Sequence, residues 1–232
     1  MATSGIQSQV IAQLGPLVIT EPVVITWGII VVLAIIIKII THRLTLSPGN
    51  LQTVVEGIVT AQEAAIRAVA PGYERSMLPF IGGLWIFLVI ANLMGLIPGL
   101  HSPTRDLSTT SALAILVFLS VHWFGIRSAG LKAYLQHYLS PSPIMLPFHI
   151  ISELTRTVAL AVRLFGNMMS LEMAALLILM VAGFLVPIPI LMLHIIEALV
   201  QSYIFGMLAL IYVAGGIQSQ QQKLSASKKE SL

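Results

Sequence analysis

Nine polar or ionisable residues interrupt the apolar C-terminal half of this chain: His149, Glu153, Arg156, Arg163, Asn167, Glu172, His194, Glu197 and Gln201. On a helix, His149, Glu153, Arg156, Arg163, Asn167 and Ser170 follow steps of 4, 3, 7, 4 and 3 and share one side. Glu172 lies nine residues after Arg163 and projects to the opposite side. His194, Glu197 and Gln201 step by 3 and 4, which makes a second stripe. An ionisable group at the centre of a lone lipid-facing helix costs roughly 2.5–3.5 kcal/mol. Five formal charges therefore cost on the order of 12–18 kcal/mol unless they face protein, water or one another. Two facing stripes of this kind suggest a path for something charged. Bond-making chemistry has no support: the chain has no Gly-rich phosphate loop, no His-Glu-x-x-His and no nucleophile elbow, so no catalytic residue and no cofactor is expected.

Each residue also has a structural reading. Arg163 can be one half of an ion pair with Glu153, Glu172 or Glu197. Arg156 can snorkel to a lipid headgroup. Asn167 and Gln201 can hydrogen-bond between helices. His194 and Glu197, one turn apart, can satisfy each other, and His122 reads as a histidine satisfied within the bundle. A metal site from Glu172, His194 and Glu197 lacks a recognisable ligand spacing, so no metal is expected.

The elements that must position these residues follow from composition. Of 232 residues, 57% are hydrophobic and 9% charged, against about 25% charge in soluble domains. That excludes a soluble enzyme and a nucleic-acid partner. There is no cysteine, hence no disulfide or thiolate chemistry. Backbone in lipid must satisfy its own hydrogen bonds, so long apolar runs are helices. The runs predict a single all-α polytopic membrane domain, with crossings at 22–41, 77–100, 107–126, 144–186 and 189–217. Residues 50–70 differ in kind. Val54, Val55, Ile58, Val59, Ala65, Ile66 and Val69 recur at helical spacing among Gln52, Glu56, Gln62, Glu63 and Arg67, which predicts an amphipathic helix at the membrane surface. Pro48-Gly49-Asn50 is a turn and cap before it. The first 20 residues lack a basic stretch before an apolar core, so no cleaved signal peptide is expected.

Lys and Arg set the orientation. Lys38, Arg43, Arg67 and Arg75 lie between the first two crossings, Arg127 and Lys132 follow the third, and Lys223, Lys228 and Lys229 form the tail at 218–232. Only Arg105 lies in the loop between the second and third crossings. With the basic segments cytoplasmic, residues 1–21 are external and the tail is inside. From the loop at Lys132, only two more crossings return the chain to the cytoplasm. The tract 144–186 is then one crossing, roughly 60 Å of helix against a core of about 30 Å. It must tilt or bend, and it forms a long hairpin with the last helix, the Pro187-Ile188-Pro189 turn lying between them.

Around Arg163 the chain reads Ser152-Glu-Leu-Thr-Arg-Thr-Val-Ala-Leu-Ala-Val-Arg-Leu-Phe-Gly-Asn-Met-Met-Ser-Leu-Glu172. This resembles subunit a of F-type ATP synthases, whose signature is the Arg-Leu-Phe-Gly-Asn-Met core. His194 followed by Gln201-Ser-Tyr-Ile-Phe205 resembles the family's last helix, and Asn92-Leu-Met-Gly-Leu-Ile-Pro98 and Pro103-Thr-Arg-Asp-Leu107 resemble further family segments. Two departures stand out: Glu197, apolar in many members, and Ser202, more often Ala.

The resemblance implies a non-catalytic stator subunit working beside a ring of c subunits, with b-type peripheral-stalk subunits and the rest of the ATP synthase as partners. Two offset half-channels would carry H⁺ or Na⁺ to the ring carboxylates. It implies that Arg163 is the essential fixed charge between them, with Asn167 and Gln201 orienting it. Glu172, His194 and Glu197 fall to the outer half-channel; His149, Glu153 and Arg156 are candidates for the inner one. A bacterial inner membrane is the expected location. The rivals are a secondary ion or metabolite transporter built on the polar hairpin, and an anchor whose charges only fix helix register. The first three crossings have no counterpart to that hairpin, against the repeats usual in such transporters.

Overall fold

The computed structural model describes residues 10–14, 17–42, 49–97, 100–131, 146–182 and 187–230. Two short strands, β1 (Val10–Leu14) and β2 (Leu17–Thr20), pair antiparallel. The helices α1 (Glu21–His42), α2 (Asn50–Val69), α3 (Glu74–Leu93), α4 (Leu107–Ala129), α5 (Leu146–Ala182) and α6 (Pro187–Glu230) follow. Five of them, all except α2, contain stretches long and apolar enough to cross a membrane. The chain is a helical multi-pass membrane protein.

α1 is apolar all round and buries only Ile29, the mark of a helix whose solvent is lipid. α2 is the amphipathic one. It turns Ile66 inward and reaches α3 through Gln62, whose Nε2 donates to the Gly82 carbonyl at 3.5 Å. Its Arg67 bridges Glu63 at 2.8 Å and Glu74 at 3.2 Å, but Arg67 is well exposed and such pairs stabilise little. Gly72, at φ 88°, makes the left-handed turn that sends the chain from α2 into α3.

The core lies among α3, α4, α5 and α6, where Met77, Ile81 and Leu88 meet Val117, Leu160, Leu164, Met168, Phe205, Leu210 and Val213. Lipid is as apolar as leucine, so helices in a membrane associate through close packing rather than water exclusion. α6 provides for it with Ala198, Ser202, Phe205, Ala209 and Val213 on one buried stripe. At Gly206 the backbone approaches the Trp85 indole so closely that a Cβ would overlap the ring. Trp85 Nε1 donates to the Tyr203 carbonyl at 3.4 Å, and the two rings lie parallel. By contrast, Val158, Val162 and Trp123 point outward.

Three boundaries differ from the hydropathy expectation. The second crossing begins at Glu74 and ends in a 3-10 turn, Met94–Leu96, rather than running to 100. Pro187 and Pro189 form no turn: they occupy the first turn of α6, where proline's missing N–H and fixed φ suit a helix start. The expected tail from 218 onward continues α6 to Glu230. The hairpin at β1 and β2 falls in a segment read only as an external N-terminus. Arg43, Lys132, 144–145 and 183–186 lie outside the described residues.

Gly206→Ala should lower stability in detergent by about 1–3 kcal/mol through overpacking against Trp85. Gly83→Ala, with open space at its Cβ, should change little, and thermal unfolding of both variants checks the contrast.

Candidate functional site

Arg163 stands near the middle of α5, on an exposed stretch of its surface. None of the three carboxylates that could neutralise it does so: among the described residues Arg163 has no ion pair or hydrogen bond. One turn on, Asn167 donates Nδ2–H to Gln201 Oε1 at 2.6 Å, tying α5 to α6. Gln201 is fully buried, and its Nε2 has no hydrogen-bond partner among the described residues. The interhelical role open to Asn167 and Gln201 is therefore present, immediately beside the arginine.

Glu172 lies about 14 Å further along α5 by helical rise. Its Oε1 accepts from Arg105 NH1 at 2.5 Å and meets His101 Nδ1 at 2.9 Å. Its Oε2 is buried with no hydrogen-bond partner among the described residues. A cavity of about 240 Å³ opens here, lined by Arg105, Asp106, Phe165, Met169, Glu172 and Met173.

The loop carrying His101 and Arg105 is fixed by a buried polar cluster. Asn92 Nδ2 donates to Ser202 Oγ at 2.9 Å, and Asn92 Oδ1 accepts from Thr104 Oγ1 at 2.7 Å. Ser102 bonds the Ala91 carbonyl at 2.9 Å and Thr104 at 2.6 Å. Asp106 then caps α4, accepting from the Ser108 N–H at 2.8 Å. His194 is buried beside this cluster, its Nε2 3.3 Å from the Asn92 carbonyl. A carbonyl can only accept, so Nε2 carries the proton and Nδ1 keeps a lone pair in the neutral ring. Gly95 lies alongside, where a Cβ would sit in ordinary van der Waals contact with His194 and Ser102. His194 and Glu197 do not satisfy each other: His194 bonds Asn92, and Glu197 is half-buried with no ion pair among the described residues.

At the other end of α5, Glu153 faces His122 of α4 at 3.8 Å, and the Arg156 guanidinium lies 5.7 Å from the centre of the Tyr212 ring. His149 is exposed one turn before Glu153. His122 also bonds the Phe118 carbonyl of its own helix at 2.9 Å. Among the described residues no three His, Cys, Asp or Glu gather as metal ligands.

The family model described as ATP synthase A chain matches residues 23–214, a range that holds every residue of this site. The chain belongs to this family. It is 61% identical over 227 residues to ATP synthase subunit a 1 of Hahella chejuensis, covering 98% of this chain and 97% of that protein. It is 59% identical over 223 residues to ATP synthase subunit a 2 of Pelobacter propionicus, covering 96% and 98%. It is 53% identical over 233 residues to ATP synthase subunit a of Legionella pneumophila (strain Paris), covering all of both chains.

Sequence spacing did not find the partners of Glu172 and His194. Arg105 lies 67 residues from Glu172, and Asn92 lies 102 from His194. One signal was available: Arg105 is the lone basic residue in a loop that the orientation rule otherwise leaves without Lys or Arg. Ser202, singled out in the sequence, accepts from Asn92 Nδ2 at 2.9 Å and donates to the Ala198 carbonyl at 2.6 Å.

Asn92→Ala removes the bonds to both Thr104 and Ser202 at the centre of the cluster and should cost about 2 kcal/mol, while Ser202→Ala leaves Asn92 bonded to Thr104 and to the Ala198 carbonyl and should cost about 1 kcal/mol. Thermal unfolding of the purified protein distinguishes the two.

Proposed function

We infer that this chain is the ion-translocating subunit of the membrane sector of an F-type ATP synthase, with ATP chemistry carried by other subunits. The observation that carries the reading is Arg163, an exposed cation midway along α5 with no acid on it among the described residues. Polar groups lie toward both ends of the same helix: Glu172 with Arg105 and His101 at one, Glu153 with His122 at the other.

The exposed side of α5 is the surface offered to the c ring. Each ring carboxylate arriving opposite Arg163 is favoured in its ionised form and gives up its ion. The same charge blocks direct flow between the two access routes. Arginine suits this role because its guanidinium does not deprotonate in a low-dielectric site. A blocked leak matters, since each charge crossing 100 mV carries about 2.3 kcal/mol. Asn167 and Gln201 position the arginine. Glu172, His194 and Glu197 serve the outer route, and His149, Glu153 and Arg156 serve the inner one. The N-terminus lies outside and α6 ends in the cytoplasm, in a bacterial inner membrane, with b-type stalk subunits holding the chain against rotation.

Arg163→Ala should abolish ATP-driven ion pumping in reconstituted vesicles while the complex still assembles with its ring. Retained coupled pumping would remove the role assigned to Arg163, and loss of assembly before loss of transport would favour an anchor.

A further inference from the structure

Arg105 lines two cavities. The smaller, about 40 Å³, is bounded by Glu21, Pro22, Ile25, His101 and Ser102 together with Arg105 and Asp106. The larger is the 240 Å³ space at Glu172 and Met173. Arg105 and Asp106 thus border both spaces, and the Arg105 guanidinium is partly buried and bonded to Glu172 Oε1. Its backbone is not free to carry it elsewhere. Ser102 and Thr104 on one side are fully buried and bonded to Ala91 and Asn92, and Asp106 on the other side caps α4.

We propose that Arg105 is an electrostatic gate on the outer ion route, closing the passage between the Glu21 vestibule and the Glu172 cavity by competing with the entering cation for Glu172. The inference rests on the translocation role given above and adds a residue to it. One carboxylate oxygen is tied to His101 and Arg105, so Oε2, buried and without a hydrogen-bond partner among the described residues, is the atom a proton or small monovalent cation would reach. When Oε2 takes the cation, the carboxylate no longer holds Arg105 by full charge and the side chain is released. When the cation leaves toward the ring, Arg105 closes again. Among the described residues, Asp106, Glu21, His194 and Glu197 are the other charged or titratable groups at this end, and the hydrogen bonds of Glu172 go to His101 and Arg105 alone.

The absence of cysteine allows a direct test. Met173→Cys places one thiol in the Glu172 cavity of the assembled complex, and its reaction rates with cationic and anionic methanethiosulfonates of matched size are compared. Arg105→Gln should raise the cation-to-anion rate ratio on the order of a hundredfold, because a unit charge near 10 Å at an effective dielectric of about 20 shifts each rate roughly 16-fold and in opposite senses. Arg105→Lys should leave the ratio close to its starting value. If Arg105→Gln does not assemble, the same substitution is read in a Glu172→Gln background, where no buried carboxylate is left unpaired. An unchanged ratio in the variant that assembles overturns the gate. Labelling requires no turnover, so that result would leave the transport role of Arg163 standing, and a failed transport assay would leave the gate intact.

Discussion

A guanidinium carried midway along an apolar helix, on its exposed side, is the constraint to which the other elements answer. An isolated arginine at such a depth costs roughly 2.5–3.5 kcal/mol, and α5 carries Arg163 without an acid to offset it among the described residues. Something has to hold that helix in place. Leu160, Leu164 and Met168 anchor its inner side in the core, and the Asn167–Gln201 bond locks its rotation against α6 directly beside the charge. α6 is itself held by close approach: Gly206 under Trp85, and Ser202 bonded to Asn92.

Three other charges of the hairpin show the opposite treatment. Glu172 is paired with Arg105 and His101, Glu153 with His122, and Arg156 lies over Tyr212. Each of these side chains lies against a partner on a neighbouring helix or loop. Arg163 has no such partner among the described residues, which suits a group that stays charged while carboxylates pass it. Buried polar networks tolerate no loose member, and the Asn92–Thr104–Ser102 cluster meets that demand by tying a loop to α3 and α6. The same cluster fixes the positions of His194 and Arg105.

Much of this architecture was legible because lipid leaves the backbone few options. Apolar runs became helices, and α5 is a single helix although its length would fit two crossings. The residues of the site were also legible, since ionisable groups in apolar tracts are rare enough to count. Their partners were not. Glu172 finds Arg105 and His194 finds Asn92 only after four helices have packed, and no periodicity within one helix carries that information. Local chemistry misled at Pro187 and Pro189, because proline favours a helix's first turn as readily as a turn between helices. It misled again for His194 and Glu197, where spacing by one turn permits a contact that the pull of the Asn92 carbonyl replaces.

The account turns on which side of α5 meets the ring. With no cysteine in the chain, Ala159→Cys, exposed one turn before Arg163, can be paired with a cysteine one turn from the ring carboxylate and oxidised in the assembled complex. A disulfide should form from position 159 and not from Leu119→Cys on the outer face of α4. Cross-linking from Leu119 with none from 159 would contradict the claim that Arg163 faces the ring.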